Sequence, residues 1–79
     1  MRLLLVEDDA ALGEELARLL RRADFAVDRA VTAREAEEAG QVEPYDAVVL
    51  DLGLPDGDGL EVLKSWRAEG LMMPVLVLT

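Results

Sequence analysis

Short apolar runs alternate with longer helical segments along the chain, and this alternation limits the folds that it can adopt. Four runs predict strands, at Leu3 to Val6, Phe25 to Arg29, Tyr45 to Leu50 and Val75 to Leu78. The first and third of these are almost wholly apolar, as expected for strands buried on both faces. Strands that alternate with helices favour a parallel sheet with right-handed crossovers. We therefore predict an α/β fold with a doubly wound parallel sheet.

The first helix is predicted between Asp9, which suits an N-cap, and about Arg22. Apolar residues recur within it at the spacing of one helical face. The predicted face consists of four leucines, Leu12, Leu16, Leu19 and Leu20. We expect this stripe to be part of the core or to flank it.

Two further helices are predicted from their end signals. Thr32 and Glu35 form a capping-box pattern that opens the second helix, and Gly40 is expected to close it. The third helix is predicted from Leu60 to about Glu69. It carries Leu60, Leu63 and Trp66 on one helical face, which is expected to be part of the core or to flank it.

Composition excludes several classes of function. The 79 residues support one domain, and 52% apolar residues are enough to form a core rather than a disordered chain. Because cysteine and histidine are both absent, disulfides, thiolate metal sites and imidazole general-base catalysis are excluded. A net charge of −9 disfavours direct nucleic-acid contact. No signal peptide or membrane segment is recognisable, so a cytoplasmic location is expected.

Acidic residues follow two of the predicted strands. Glu7 and Asp8 come directly after the first strand, Asp51 after the third, and Thr79 ends the fourth. Parallel sheets bind ligands at the carboxyl ends of their strands, close to the point where strand order reverses. In a 2-1-3-4 order the first and third strands are neighbours. The carboxylates of Glu7, Asp8 and Asp51 are therefore expected to converge.

Three carboxylates this close repel one another unless a cation neutralises them. Mg²⁺ prefers oxygen ligands and is often held by one or two carboxylates together with a phosphate. An aspartate beside such a cation can act as a nucleophile and form an aspartyl-phosphate, which assigns Asp51 as the candidate acceptor. The alternative for Glu7 and Asp8 is that they only provide negative charge at a helix N-terminus.

Three separate motifs resemble the CheY-like receiver domain of bacterial two-component response regulators, and most closely the OmpR/PhoB-type subgroup. They are Leu5 to Asp9, Asp51 to Gly59, and Pro74 to Thr79. The resemblance covers the whole chain in order. It implies a flavodoxin-like sheet of order 2-1-3-4, and phosphorylation of Asp51 by the phosphohistidine of a sensor histidine kinase.

The resemblance also implies roles for individual residues around Mg²⁺. Asp8 would contact the metal directly, Glu7 through water, and Asp51 and the main-chain carbonyl of Gly53 would be further ligands. Thr79 matches the switch hydroxyl that contacts the phosphoryl group. Asp9 matches a variable acidic position and is left out of the metal site.

The segment from Gly53 to Gly59 is expected to be a tight loop beside the acceptor. Pro55 and Gly59 are predicted to shape it, since proline and glycine permit sharp turns. As a calcium loop it fails, because Leu54 occupies the position of the first ligand. As a phosphate-binding P-loop it lacks the lysine.

Receiver domains continue beyond a fourth strand, so residues 1–79 are expected to form the first two-thirds of one. A fifth strand and the last two helices would then be missing, together with the conserved lysine and the switch aromatic of the family. Neither Lys64 nor Tyr45 stands where those two residues would be. The full-length protein is expected to regulate transcription through a DNA-binding domain.

Two alternatives compete with the phosphoacceptor function. The fourth strand, Val75 to Leu78, could leave an open edge, so the chain could be an interaction module that forms a homodimer without phosphotransfer. A phosphohydrolase with Asp51 as nucleophile would need a second aspartate at Gly53. A turnover enzyme is therefore not expected.

Overall fold

The computed structural model describes residues 1–78, so Thr79, the predicted switch residue, lies outside the described residues. In chain order the elements are β1 (Arg2–Val6), α1 (Ala10–Arg22), β2 (Ala26–Ala30), α2 (Ala33–Val42), β3 (Ala47–Asp51), β4 (Gly53–Leu54), β5 (Gly57–Asp58), α3 (Gly59–Ala68) and β6 (Val75–Leu78). None of the helices within residues 1–78 has the length and apolar character needed to cross a bilayer.

The main sheet has four parallel strands in the order β2-β1-β3-β6. Since β6 is the predicted fourth strand, this arrangement confirms the expected 2-1-3-4 order and the flavodoxin-like α/β class. In the register, Val6 of β1 is opposite Leu50 of β3, and Asp51 is opposite Leu78 of β6. The carboxyl ends of β1 and β3 are therefore level with each other.

Helices cover both faces of the sheet. Against α2 and α3 lies the larger core, whose fully buried members are Leu4, Val6, Ala36, Val48, Leu50, Val62 and Trp66. Against α1 lies a smaller core of Leu3, Leu5, Ala17 and Val27. Removing apolar surface of this kind from water is the main force that holds the helices on the sheet.

The predicted leucine stripe of α1 is only partly correct. Leu12 is 46% exposed and Leu19 is 51% exposed, whereas Ala17 and Gly13 are buried. Small residues allow the helix axis to come close to the sheet, and larger neighbours then pack at the margins of the contact. The buried face of α1 is therefore centred on its small residues, which a count of leucines does not detect.

The predicted end of α2 is wrong, and the apolar face of α3 is buried only in part. Gly40 does not close α2, which continues to Val42. The glycine has a packing role instead: a side chain at position 40 would collide with the fully buried indole of Trp66. On α3, Leu60 is 42% exposed and Val62 takes its place on the buried face. The buried face of α3 therefore keeps Trp66 but is centred on Gly59 and Val62 instead of Leu60.

The loop after β3 is more regular than predicted. Its residues Gly53–Leu54 and Gly57–Asp58 pair as the antiparallel strands β4 and β5. Pro55 and Asp56 form the connection between them, in keeping with the preference for proline early in a turn and glycine after it. We call Gly53 to Asp58 the hairpin.

Candidate functional site

The structure brings together the three carboxylates that the sequence assigns to one edge of the sheet. One carboxylate oxygen from each of Glu7, Asp8 and Asp51 lies within 4.8 Å of the other two. The cause is the register of the sheet, in which Val6, the last residue of β1, is opposite Leu50, the residue before Asp51. We call Glu7, Asp8 and Asp51 the acidic cluster.

The members of the acidic cluster differ in exposure. Glu7 is only 5% exposed, Asp51 is half-buried and Asp8 is exposed. Burial raises the pKa of the Glu7 carboxyl above its usual value, and the nearby charges of Asp51 and Asp8 act in the same direction. The N–H of Asp9 opposes this shift by donating to Glu7 Oε1 at 3.0 Å. Ionised Glu7 is therefore at an electrostatic disadvantage that a cation would relieve.

Asp9 lies beside the acidic cluster but has another role. Its side chain accepts a hydrogen bond from the N–H of Leu12 at 3.0 Å and caps α1, as predicted. It is not one of the carboxylates that share the 4.8 Å cluster. Leaving Asp9 out of the metal site agrees with this geometry.

Asp51 ends β3 and lines an open cleft of about 670 Å³. The cleft is lined by Glu7, Asp8, Asp9, Leu12, Leu16, Asp51 and Leu78. The N–H of Gly53 donates to Asp51 Oδ1 at 3.2 Å, which orients the carboxylate relative to the chain that follows it. The cleft therefore gives an outside group access to an oriented carboxylate.

The close packing at Gly59 supports its predicted role in shaping the loop. The N–H of Gly59 donates to the carbonyl of Leu52 at 3.0 Å. A side chain at position 59 would run into the backbone of Asp51 and Leu52. Pro55 lies at the tip of the hairpin, between its two strands. Both residues are thus placed to keep the chain close to the end of β3.

Sequence reasoning missed Asp56 of the hairpin. Its carboxylate accepts hydrogen bonds from the main-chain N–H groups of Ala33 and Arg34, at 2.6 and 3.1 Å. Both bonds lower the pKa of Asp56, and the one from Ala33 contributes most. The only signal in the sequence is an acidic residue in a Pro-Asp-Gly turn, which does not reveal the helix that it contacts.

The donor set of the acidic cluster fits a hard divalent cation. Its side chains offer only carboxylate oxygens, and the N-terminal end of α1 adds no basic side chain to the cleft. Mg²⁺ is held in this way, with waters and substrate oxygens completing its shell. The arrangement therefore suits a magnesium site that remains open to a phosphate group.

Comparison with known proteins gives the family of the chain. A family model described as the response regulator receiver domain matches residues 3–79. The chain belongs to this family. The transcriptional regulatory protein QseB of Escherichia coli O157:H7 is 46% identical over all 79 residues of the receiver chain, which correspond to 36% of its own length. The chain thus spans just over a third of this regulator.

Solved receiver domains share the fold. The non-phosphorylated HemR receiver domain of Leptospira biflexa is 42% identical, with a TM-score of 0.92 over 99% of this chain and 63% of that one. The receiver domain of the sensor histidine kinase PA1611 of Pseudomonas aeruginosa, with a magnesium ion coordinated in its active site cleft, is 29% identical with a TM-score of 0.93. That match covers 99% of this chain and 66% of that one. The resemblance read from the sequence motifs is confirmed.

Proposed function

We propose that Asp51 is the phosphoacceptor of this receiver domain and takes its phosphoryl group from a sensor histidine kinase. The observation that carries the proposal is the acidic cluster, in which Asp51 lies within 4.8 Å of Glu7 and Asp8 at the carboxyl edge of the sheet. An acceptor carboxylate is thereby next to a cation site and open to a cleft. Such transfer from a histidine kinase would take place in the cytoplasm.

The proposed cation is Mg²⁺, held by the acidic cluster and by the main-chain carbonyl of Gly53. Support comes from the all-oxygen donor set and from the magnesium ion in the receiver domain of PA1611. When bound, Mg²⁺ neutralises negative charge on the phosphoryl group. In line with the family pattern, Asp8 and Asp51 would be direct ligands and Glu7 would act through water.

The proposed transfer needs only the Asp51 carboxylate as nucleophile. One of its oxygens forms a bond to phosphorus while the phosphorus–nitrogen bond of the kinase phosphohistidine breaks. The bonding electrons return to the imidazole nitrogen, and an aspartyl-phosphate remains. The Gly53 N–H, which donates a hydrogen bond to Asp51 Oδ1, would hold the carboxylate in place during this step. Thr79 is proposed as the hydroxyl that contacts the phosphoryl group.

Phosphorylation by a small donor tests the proposal. The protein would be incubated with Mg²⁺ and acetyl phosphate, and its intact mass would be compared with that of Asp51→Asn. We expect one added phosphoryl group on the wild type and none on Asp51→Asn. Asp9→Asn is the matched control, because Asp9 borders the same cleft but caps α1, and asparagine caps helices equally well. Equal labelling of the wild type and Asp51→Asn would refute Asp51 as acceptor.

A second candidate function rests on the edge of the sheet at β6. Within residues 1–78, β6 pairs only with β3, and its Leu76 is 63% exposed. An apolar edge strand of this kind pairs readily with another chain. The chain would then be an interaction module that dimerises through β6.

Native mass spectrometry at increasing concentration tests this, with Leu76→Lys as the variant expected to remain monomeric. A wild type that is monomeric throughout would exclude it.

A further inference from the structure

The hairpin that carries Gly53 is too small to be rigid by itself. Each of its strands, β4 and β5, has two residues, and isolated hairpins are at best marginally stable in water. At its base, the hydrogen bond from the Gly59 N–H to the Leu52 carbonyl closes the loop. Further along β4, next to the turn, the side chain of Leu54 is packed in the core at 8% exposure. These contacts hold the base of the hairpin and the end of β4, but neither acts on Gly53 or on the turn itself.

Gly53 itself is not held by packing. It is exposed, and a Cβ built on it would have no neighbour within 4 Å. Its N–H bond to Asp51 Oδ1 is, at 3.2 Å, at the long end of the normal range. The direction of the Gly53 carbonyl therefore depends on how the rest of the hairpin is held.

The tip of the hairpin is held by α2 through Asp56. Asp56 Oδ1 accepts from the Ala33 N–H at 2.6 Å, and Oδ2 accepts from the Arg34 N–H at 3.1 Å. Both donors belong to the first turn of α2, where main-chain N–H groups have no partner inside the helix and a negative charge is favoured. The contact is close, since a Cβ on Gly57 would lie 3.5 Å from that of Ala33.

The N-cap of α2 does not compete with Asp56. Thr32 accepts from the N–H of Glu35, and the Glu35 side chain reaches back to the N–H of Val31. Thr32 and Asp56 thus satisfy different donors of the same helix end. Because α2 is packed on the core through the fully buried Ala36, it gives the tip of the hairpin a fixed support.

We propose that Asp56 is a positioning residue for the divalent cation. By tying the tip of the hairpin to α2, it fixes the Gly53 carbonyl relative to the acidic cluster. Asp56 does not belong to the group of carboxylates within 4.8 Å of one another, so it acts through the hairpin and not as a ligand. The inference rests on the proposed function, since it requires that the cluster and the Gly53 carbonyl bind Mg²⁺.

The test compares two variants that remove different caps from the same helix end. Asp56→Ala removes the link between the hairpin and α2, whereas Thr32→Ala removes the N-cap of α2 and leaves that link intact. Asp56→Asn, which keeps one acceptor oxygen, is included in case Asp56→Ala does not fold. Mg²⁺ affinity is measured by calorimetry with magnesium chloride, and stability by the urea midpoint without metal.

We expect Asp56→Ala to weaken Mg²⁺ binding about tenfold, as is usual when a group that orients a ligand is removed. Asp56→Asn should weaken it less, and Thr32→Ala should bind Mg²⁺ as the wild type does, although Asp56→Ala and Thr32→Ala should both lower the urea midpoint by removing a helix cap. Wild-type affinity in Asp56→Ala and Asp56→Asn would overturn the inference and leave the proposed function intact. Equal weakening in Thr32→Ala would also overturn it. A wild type that binds no Mg²⁺ would refute the inference and the proposed metal site together.

Discussion

The two ends of the main sheet differ in whether their charged side chains have partners. At the amino end of the strands, the hydroxyl of Tyr45 donates to Asp28 at 2.7 Å, and Arg2 pairs with the same carboxylate at 3.1 Å. At the carboxyl end, Glu7, Asp8 and Asp51 are close together, and none of them forms an ion pair within residues 1–78.

The pKa shifts follow this contrast. The Tyr45 hydroxyl, with Arg2, lowers the pKa of Asp28, whereas burial and neighbouring carboxylates raise that of Glu7. The amino end is arranged so that its charges stabilise the fold. The carboxyl end retains repulsion that the fold alone does not relieve, which is typical of a site built for a ligand. Stability and binding are thus assigned to opposite ends of the same strands.

The largest loss of stability is expected when Asp28 is removed from the amino end of the sheet. Asp28→Ala would leave the Tyr45 hydroxyl, in a residue that is 7% exposed, without its acceptor, and Arg2 without its closest partner. A buried donor left without a partner costs about 1–3 kcal/mol, so we expect a loss of about 2–3 kcal/mol in the free energy of unfolding. Urea unfolding measures this. Glu38→Ala, which breaks an exposed pair with Arg34, should be nearly neutral.

Alkaline pH should lower the stability of the unmutated protein through Tyr45, at the same end of the sheet. Burial, reinforced by the bond to Asp28, raises the pKa of Tyr45 to about 12 from 10.0. The folded state therefore holds the phenol proton more tightly than the unfolded chain, and stability is lost as pH rises through this interval. We expect a loss of at most about 2.7 kcal/mol, read from urea unfolding across that range. Tyr45→Phe should lack this loss, and an identical profile in both proteins would contradict it.

At the carboxyl end, removing a charge should raise the stability of the protein instead of lowering it. Glu7→Gln removes a charge disfavoured by burial and by Asp51, and keeps an oxygen for the Asp9 N–H. We expect it to stabilise the metal-free protein by about 1 kcal/mol, as substitutions in binding sites often do. Added Mg²⁺ should stabilise the wild type more than this variant. Thermal unfolding in chelator and in magnesium measures both. Glu14→Gln, at an exposed position, serves as control, and a less stable Glu7→Gln would show that the repulsion is unimportant.

The smallest effect is expected at Arg2. Its side chain is 45% exposed and lies 3.1 Å from Asp28 and 3.6 Å from Glu43, so solvent and salt screen both pairs. Arg2→Met should therefore lower the urea midpoint less than Asp28→Ala does, and the loss should shrink as sodium chloride is added. A loss equal to that of Asp28→Ala would show that Arg2, and not Tyr45, stabilises this end.

The acidic cluster could be predicted from sequence because it follows from topology. Once Leu3 to Val6 and Tyr45 to Leu50 are recognised as buried parallel strands, the residues after them must meet at one edge. The spacing of the three motifs that resemble receiver domains supports the same prediction, and the family match of residues 3–79 confirms the fold that the motifs imply. Features set by chain order and strand register were thus accessible.

Features set by side-chain packing were not accessible from sequence. The position of Gly40 inside α2 depends on the indole of Trp66, which lies on another helix. The two bonds of Asp56 join residues that are 23 and 22 positions apart. Periodicity along α1 indicates a face made of its leucines, yet Leu12 on that face is 46% exposed. Each of these depends on how neighbouring elements approach one another.

Gly59 has a consequence for reading mutational data on this chain. It carries no functional group, yet a side chain there would collide with the backbone of Asp51 itself. In a saturation mutagenesis screen for signalling, substitutions at position 59 should therefore abolish function as consistently as substitutions of Asp51, the proposed acceptor. A map of intolerant positions would mark it as part of the site, although its contribution is only the space that it leaves empty.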